Sequence, residues 1–234
     1  MSAQTPQGID RRSWTARVRY DRLAALYNLV FSRPRACAVP HDPGRAGEAA
    51  RGSGPGNEWR RLLCQEAAGQ VLELGVGTGA NLGYFGKDVE LTGVDISSNM
   101  LSFARARASS LAYPARFQVA DAQVLPFPDA SFDCVVSSFF LCTVPDPHAA
   151  LLQARRVLRP CGHLFLLEHE RSSHPLLGLL LDAISPLATL LVGDHPNRHL
   201  RREVARAGFC VEEERPLWLD VVWLIRARAP LRGC

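Results

Sequence analysis

The chain has 234 residues, 47% of them hydrophobic, with 27 basic against 23 acidic side chains and a formal net charge of +4. That length supports one sizeable α/β core and leaves little room for a nucleotide domain plus a separate substrate domain, and so mild a charge does not call for a nucleic-acid partner. The seven cysteines contain no CxxC pair and read as reduced thiols, and the chain has neither an apolar leader nor a clean run of about 20 apolar residues, so a cytoplasmic protein is expected.

Residues 13–32 read as a helix with Leu23, Leu26, Tyr27 and Val30 on one face and arginines crowding its start. Residues 33–58, rich in Pro, Gly and Ala, read as a flexible lid, so residues 1–58 form an N-terminal helix and lid ahead of a main domain over 59–234. A short helix over 59–68 leads into a strand at 71–74 and a further helix from Ala80. Strands at 90–94, 116–119, 132–137 and 163–168 then alternate with helices at 99–108 and 147–158. This rhythm predicts a Rossmann-like α/β fold: a mostly parallel sheet with helices on both faces. Two last strands, 211–214 and 219–226, are expected as an antiparallel pair. Between them and the parallel sheet lies an apolar stretch, 176–192, interrupted by Asp182 and Pro186, inside a substrate cap of about residues 170–200.

The segment VLELGVGTGANLGYF (71–85) joins an apolar strand to a turn containing Gly75, Gly77, Thr78 and Gly79. Such a turn bares backbone N–H groups to a ligand, and the glycines alone fit a dinucleotide or another adenosine cofactor. Glu73 separates the two: a carboxylate there pairs with an ammonium group and repels a pyrophosphate. Asp95, ending the second strand, is placed to accept both ribose hydroxyls. Asp121, followed by Ala122, is placed to accept from an adenine amino group. No second glycine turn supplies the other half of a dinucleotide site.

Four stretches, VLELGVGTG, LTGVDIS, ADAQVLPFPDASFD and RRVLRPCGHL, occur in the order and spacing of class I S-adenosylmethionine-dependent methyltransferases, which residues 71–168 resemble. The one departure is Cys161, where that family's pattern has a second glycine after proline. The resemblance implies S-adenosylmethionine as cofactor, its methionine end at Glu73 and the glycine turn, its ribose at Asp95, and its adenine at Asp121, Ala122, Ile96 and Met100. YDRLAALYNLVF near the start, LEHERSS, and GDHPNRHLRREVARAGF are similar to quinone-biosynthesis and bacterial phospholipid N-methyltransferases, and to membrane-associated thiol methyltransferase-like proteins. This wider likeness implies a lipophilic small-molecule acceptor, a phospholipid amine or prenylated quinol, with a thiol or selenol as the enzymatic alternative and a non-catalytic cofactor-binding module as the alternative of another class.

On the acceptor side, Tyr20 stands off the apolar stripe and is a candidate to touch the acceptor, whereas Tyr27 lies in the stripe and fits core packing equally well. His169, just past the fifth strand, is the candidate base or acceptor-orienting group, with Glu168 as a substitute. Ser137 and Ser138 are expected to line the cofactor pocket, and Cys142 to be a small buried side chain. His195, Asn197, Arg198 and His199 form a polar cluster that lacks a third metal ligand; no metal is expected, and Arg198 is suited to a phosphate. The arginine-rich first helix and the apolar 176–192 stretch suggest peripheral contact with an anionic membrane.

Overall fold

A computed structural model describes residues 11–31 and 55–231. The expected lid lies almost entirely outside the described residues. Five parallel strands, β1 (Gly69–Leu74), β2 (Val89–Asp95), β3 (Ala115–Val119), β4 (Phe132–Ser138) and β5 (Leu158–His169), form the body of one sheet. β7 (Val222–Arg228) pairs antiparallel with β5, and β6 (Cys210–Trp218) closes that edge, giving the order β3-β2-β1-β4-β5-β7-β6. The chain steps outward one way through β2 and β3 and returns to the other side of β1 at β4. That reversal opens a crevice at the carboxyl ends of β1 and β4, where ligands of open α/β sheets bind.

The central strands are apolar because both their faces are covered. Along β1, Val71 joins the core layer containing Leu63, Cys64 and Phe165, while Leu72 and Leu74 join the opposite layer with Val135, Leu164 and Leu166, as the two-residue period of a strand requires. Helices α2 (Pro55–Cys64), α3 (Ser98–Ser110), α4 (Pro147–Val157) and α6 (Leu200–Arg206) surround the sheet. Two of them start on side-chain caps: Ser97 accepts from Met100 N at the head of α3, and Asp146 accepts from Ala149 N at the head of α4.

Three expectations change. No helix follows β1; residues 77–84 form a series of turns closed by Gly79 N→Val76 O, Leu82 N→Gly79 O and Tyr84 N→Asn81 O bonds. Gly79 sits at φ +80°, outside the helical range, and the Asn81 side chain is spent on Glu73. Second, α1 (Arg11–Phe31) does not bury the predicted leucine stripe. Ser13, Ala24 and the cavity-lining Ala16, Tyr20 and Tyr27 face inward, and Leu26 faces out. The inward face covers an open cavity rather than the core, so a continuous aliphatic stripe does not mark it. Third, the interrupted apolar stretch is one continuous helix, α5 (Pro175–Val192), running through Pro186. Among the described residues no helix is long and apolar enough to cross a membrane.

Candidate active site

The turn after β1 is held against the next strand by Val76 N→Val94 O, and Gly77 N donates to Asp95 Oδ2 (2.9 Å). A side chain at Gly75 would run into the Phe140 ring, whereas Gly77, at φ +54°, has open space in front of it. The turn thereby presents bare backbone toward a cavity of about 460 Å³, within the usual size of a small-molecule site. Thr78 lines this cavity. Gly79 does not; it lets the turn pack against Leu82 and Ala104.

At one end of the cavity, Glu73 is buried and accepts from Asn81 Nδ2 (2.7 Å) through Oε1, while its Oε2 has no hydrogen-bond partner. Arg60, from α2, donates to Asn81 Oδ1 (2.7 Å) and Ser138 Oγ (3.0 Å). Burial pushes Glu73 up to about 7, against the lowering effects of Asn81 and Arg60. Burial likewise pulls the Arg60 guanidinium below its ordinary value, with Glu73 opposing. An orphaned buried carboxylate oxygen near a half-buried guanidinium suits a zwitterion: the ammonium of an amino acid at Glu73 and its carboxylate at Arg60. Sequence reasoning missed Arg60. The available signal was its spacing, because Arg60 stands three, four and seven residues before Leu63, Cys64 and Ala67, all buried, which puts a charge on the apolar face of its helix.

The other end of the cavity, where the nucleoside is expected, is lined by Asp95, Ile96, Met100, Asp121 and Ala122. Asp95 accepts from Gly77 N and Ser97 N, one on each oxygen (both 2.9 Å), and keeps lone pairs for two hydroxyls. Burial pushes it up to about 6, with those backbone donors opposing. Asp121 is braced by Gln123, whose backbone N (2.9 Å) and Nε2 (3.0 Å) both reach Oδ1; Nε2 also reaches Ser13 on α1 (2.7 Å). Asp21, also on α1, accepts from Ser97 Oγ (2.6 Å), so the first helix is fastened over the nucleoside end by side chains far from it in sequence.

A further wall of the cavity, where the acceptor is expected, is aromatic. Tyr20 and Tyr27 both line the cavity and meet edge to face at 6.3 Å, joined by Phe139 and Trp59. Burial raises both phenols, Tyr27 to about 12, so both keep their protons and Tyr20 is no base. His169 stands one layer back. Phe139 lies between Arg60 (5.7 Å) and the imidazole (6.3 Å), and His169 Nε2 meets Asp194 Oδ2 at 3.1 Å. Burial disfavours the imidazolium, but the Asp194 hydrogen bond and charge, with the charge of Glu168, outweigh it and raise His169 above its ordinary value. Its Nδ1 is buried without a hydrogen-bond partner. Cys142, His169 and Asp194 bring their ligand-type atoms within 4.8 Å of one another. Burial keeps the Cys142 thiol protonated.

The remaining expectations fall differently. Ser137 points away from the cavity, toward Glu168 (3.3 Å), and its neighbour Ser138 takes the lining position, because adjacent strand residues face opposite sides. Glu168 is a structural peg that accepts from Phe140 N and Leu141 N (3.0 and 2.9 Å) and so shapes the loop carrying Phe139. Arg198 donates to Leu141 O and Val144 O (2.7 and 2.6 Å), and His195 N donates to Cys142 O. The 194–198 segment therefore latches the loop and supplies Asp194, which sequence reasoning passed over.

Fold and cavity together define a Rossmann-like α/β protein with a small-molecule site at the carboxyl ends of its parallel strands. A family model described as a methyltransferase domain matches residues 72–166. A phosphatidylethanolamine N-methyltransferase of Cereibacter sphaeroides is 32% identical over 151 residues, 64% of this chain and 74% of that one. The ubiquinone/menaquinone biosynthesis C-methyltransferase UbiE of Hahella chejuensis is 35% identical over 145 residues, 58% of each chain. The solved structure of the [4+2]-cyclase SpnF superposes on 94% of this chain with a TM-score of 0.70 at 20% identity, a likeness of fold. The chain belongs to the class I S-adenosylmethionine-dependent methyltransferases, and S-adenosylmethionine is its cofactor.

Proposed function

We propose that this methyltransferase acts on a lipophilic small molecule, first of all the headgroup amine of a phospholipid, with a prenylated quinol as the second acceptor of the same kind. One observation carries this reading: the wall of the cavity facing the strand ends is aromatic, built from Tyr20, Tyr27, Phe139 and Trp59. Aromatic faces hold alkylammonium groups and exclude water. The similarity to a phosphatidylethanolamine N-methyltransferase and to quinone C-methyltransferases supports it.

S-adenosylmethionine supplies an already activated methyl group. The residues then have two tasks, alignment, a contribution of about 7–11 kcal/mol, and removal of one proton from an ammonium or quinol acceptor. Glu73 and Arg60 grip the amino-acid end. Asp95 takes the ribose, and Asp121, Ala122, Ile96 and Met100 take the adenine. Tyr20 and Tyr27 orient the acceptor beneath α1, with residues 170–200 as its cap. His169, held by Asp194, stands behind Phe139 and does not line the cavity, so it receives the proton through a bridging water. Tritiated methyl transfer from the cofactor to phosphatidylethanolamine vesicles, a prenylated quinol and a simple alkyl thiol tests this directly. Label in the lipid or quinol is expected. Label confined to the thiol overturns the acceptor, and cofactor binding with no transfer to any acceptor makes the chain a binding module.

A further inference from the structure

Helix α5 is built inside out. Gly178, Leu181 and Ser185 face the protein, while Leu176, Leu179, Leu180, Ile184, Leu187, Leu190 and Leu191 fall on the opposite face, exposed by 44% at Ile184 to 75% at Leu176. A helix packed on a domain in water shows the reverse pattern, and an apolar patch of this extent marks an interaction site. The patch continues past both ends of α5. At its start, Asp220 in the β6–β7 turn accepts from Ser173 N (2.7 Å) and Ser173 Oγ (2.6 Å), and this sets the exposed Trp218 and Leu219 beside the helix; Leu219 and Leu177 line one groove. At its end, a side chain at Gly193 would strike the Arg19 guanidinium, so α1 adjoins α5 there. Exposed Arg22 and Leu26 follow Arg19 at helical spacing along α1.

We propose that this face, from Trp218–Leu219 along α5 to Arg22–Leu26, is the surface by which the enzyme lies on an anionic phospholipid monolayer, with α5 in the plane of the interface. Charge and composition select that occupant. The one acid on α5, Asp182, is neutralised by Arg171, which reaches it through both Nε and Nη2 (2.9 Å for the latter). The rim carries Arg19 and Arg22, suited to phosphate headgroups, and a tryptophan, suited to the headgroup boundary. An 18-residue helix presents about 27 Å of leucine face to the acyl chains. This deepens the lipophilic-acceptor reading and rests on it for purpose: Tyr20 and Tyr27 line the cavity from α1, the helix that adjoins the end of α5, so the site lies close to the face that meets the monolayer.

Flotation of the full chain with vesicles, in the absence of cofactor and acceptor, tests the surface independently of any activity. Vesicles of phosphatidylcholine with phosphatidylglycerol should carry the protein, and those of phosphatidylcholine alone should carry much less. The double variant Leu180→Glu, Leu187→Glu should lose more than about tenfold in binding, while Leu152→Glu, on α4, should bind like the parent; each variant is first checked for unchanged binding of S-adenosylhomocysteine. Brominated lipids should quench tryptophan emission in the parent and quench less in Trp218→Phe. Absence of flotation at low salt overturns the proposal. So does a dimer in light scattering that the double glutamate variant dissolves, since the face would then belong to a second copy of the chain. Flotation without lipid methylation retains the surface and removes only the acceptor.

Discussion

The two walls of one cavity are made by different means. The wall we assign to the cofactor is assembled from residues at or just beyond the ends of successive strands, Glu73, Asp95 and Asp121. The wall we assign to the acceptor is assembled from α1, α2 and the loop after β4, which meet only after folding. The first is electrostatic, with one buried carboxylate oxygen, Glu73 Oε2, left without a partner; the second is aromatic, with the His169–Asp194 pair behind it. A change on one wall should therefore leave the other's measured property intact.

The largest effect should come from the acceptor wall. His169→Gln should lower kcat by about 10²- to 10⁴-fold, the ordinary contribution of a general base, with S-adenosylhomocysteine affinity unchanged. Since Asp194 helps hold the imidazole above its ordinary value, and the base acts when neutral, activity should rise with pH through that raised value. In Asp194→Asn the limb should move to lower pH. A loss of cofactor affinity in His169→Gln, or an unmoved limb in Asp194→Asn, would join the two walls or remove the base.

Next in size is the cofactor wall. Glu73→Gln should weaken S-adenosylhomocysteine by about 10- to 100-fold, the cost of losing a buried charge-assisted bond, with little change in the rate at saturation. Glu73 is raised from 4.5 to about 7 in the free protein. The folded chain therefore holds a proton that the unfolded chain releases across that interval, and free-enzyme stability declines as pH rises through it. A ligand ammonium needs the ionised carboxylate, so affinity should climb with pH up to about 7 and then level. Calorimetry across this range checks the slope; an affinity that is flat, or that falls with pH, contradicts the pairing.

The contrast also explains what the sequence could reveal. The places of Glu73, Asp95 and Asp121 along one cavity were legible because strand ends and a glycine turn are local features, and of the antiparallel last pair only β7 carries an apolar run. Arg60 hid among many arginines. Gln123 and Ser13 carry no local mark, and Asp194 becomes a partner of His169 only through the latch that Arg198 makes with the loop. The face of α1 was misread because it covers an open cavity rather than the core, and the turns that replace the expected helix place Asn81 against Glu73.

The smallest effect lies away from both walls. Cys161 holds φ +61°, a conformation costly for a side chain. Cys161→Gly should raise stability by up to about 1 kcal/mol in denaturant titration, with kcat and affinity unaltered. A destabilised variant would mean that packing of the thiol outweighs the backbone strain.

The most direct measurement compares two ligands on one protein: S-adenosylhomocysteine, and 5′-methylthioadenosine, which keeps the nucleoside and lacks the amino acid. The Glu73–Arg60 clamp predicts that the first binds at least about tenfold tighter, and that Arg60→Met erases most of that advantage. Equal affinity of the two ligands for the unmodified enzyme would contradict it.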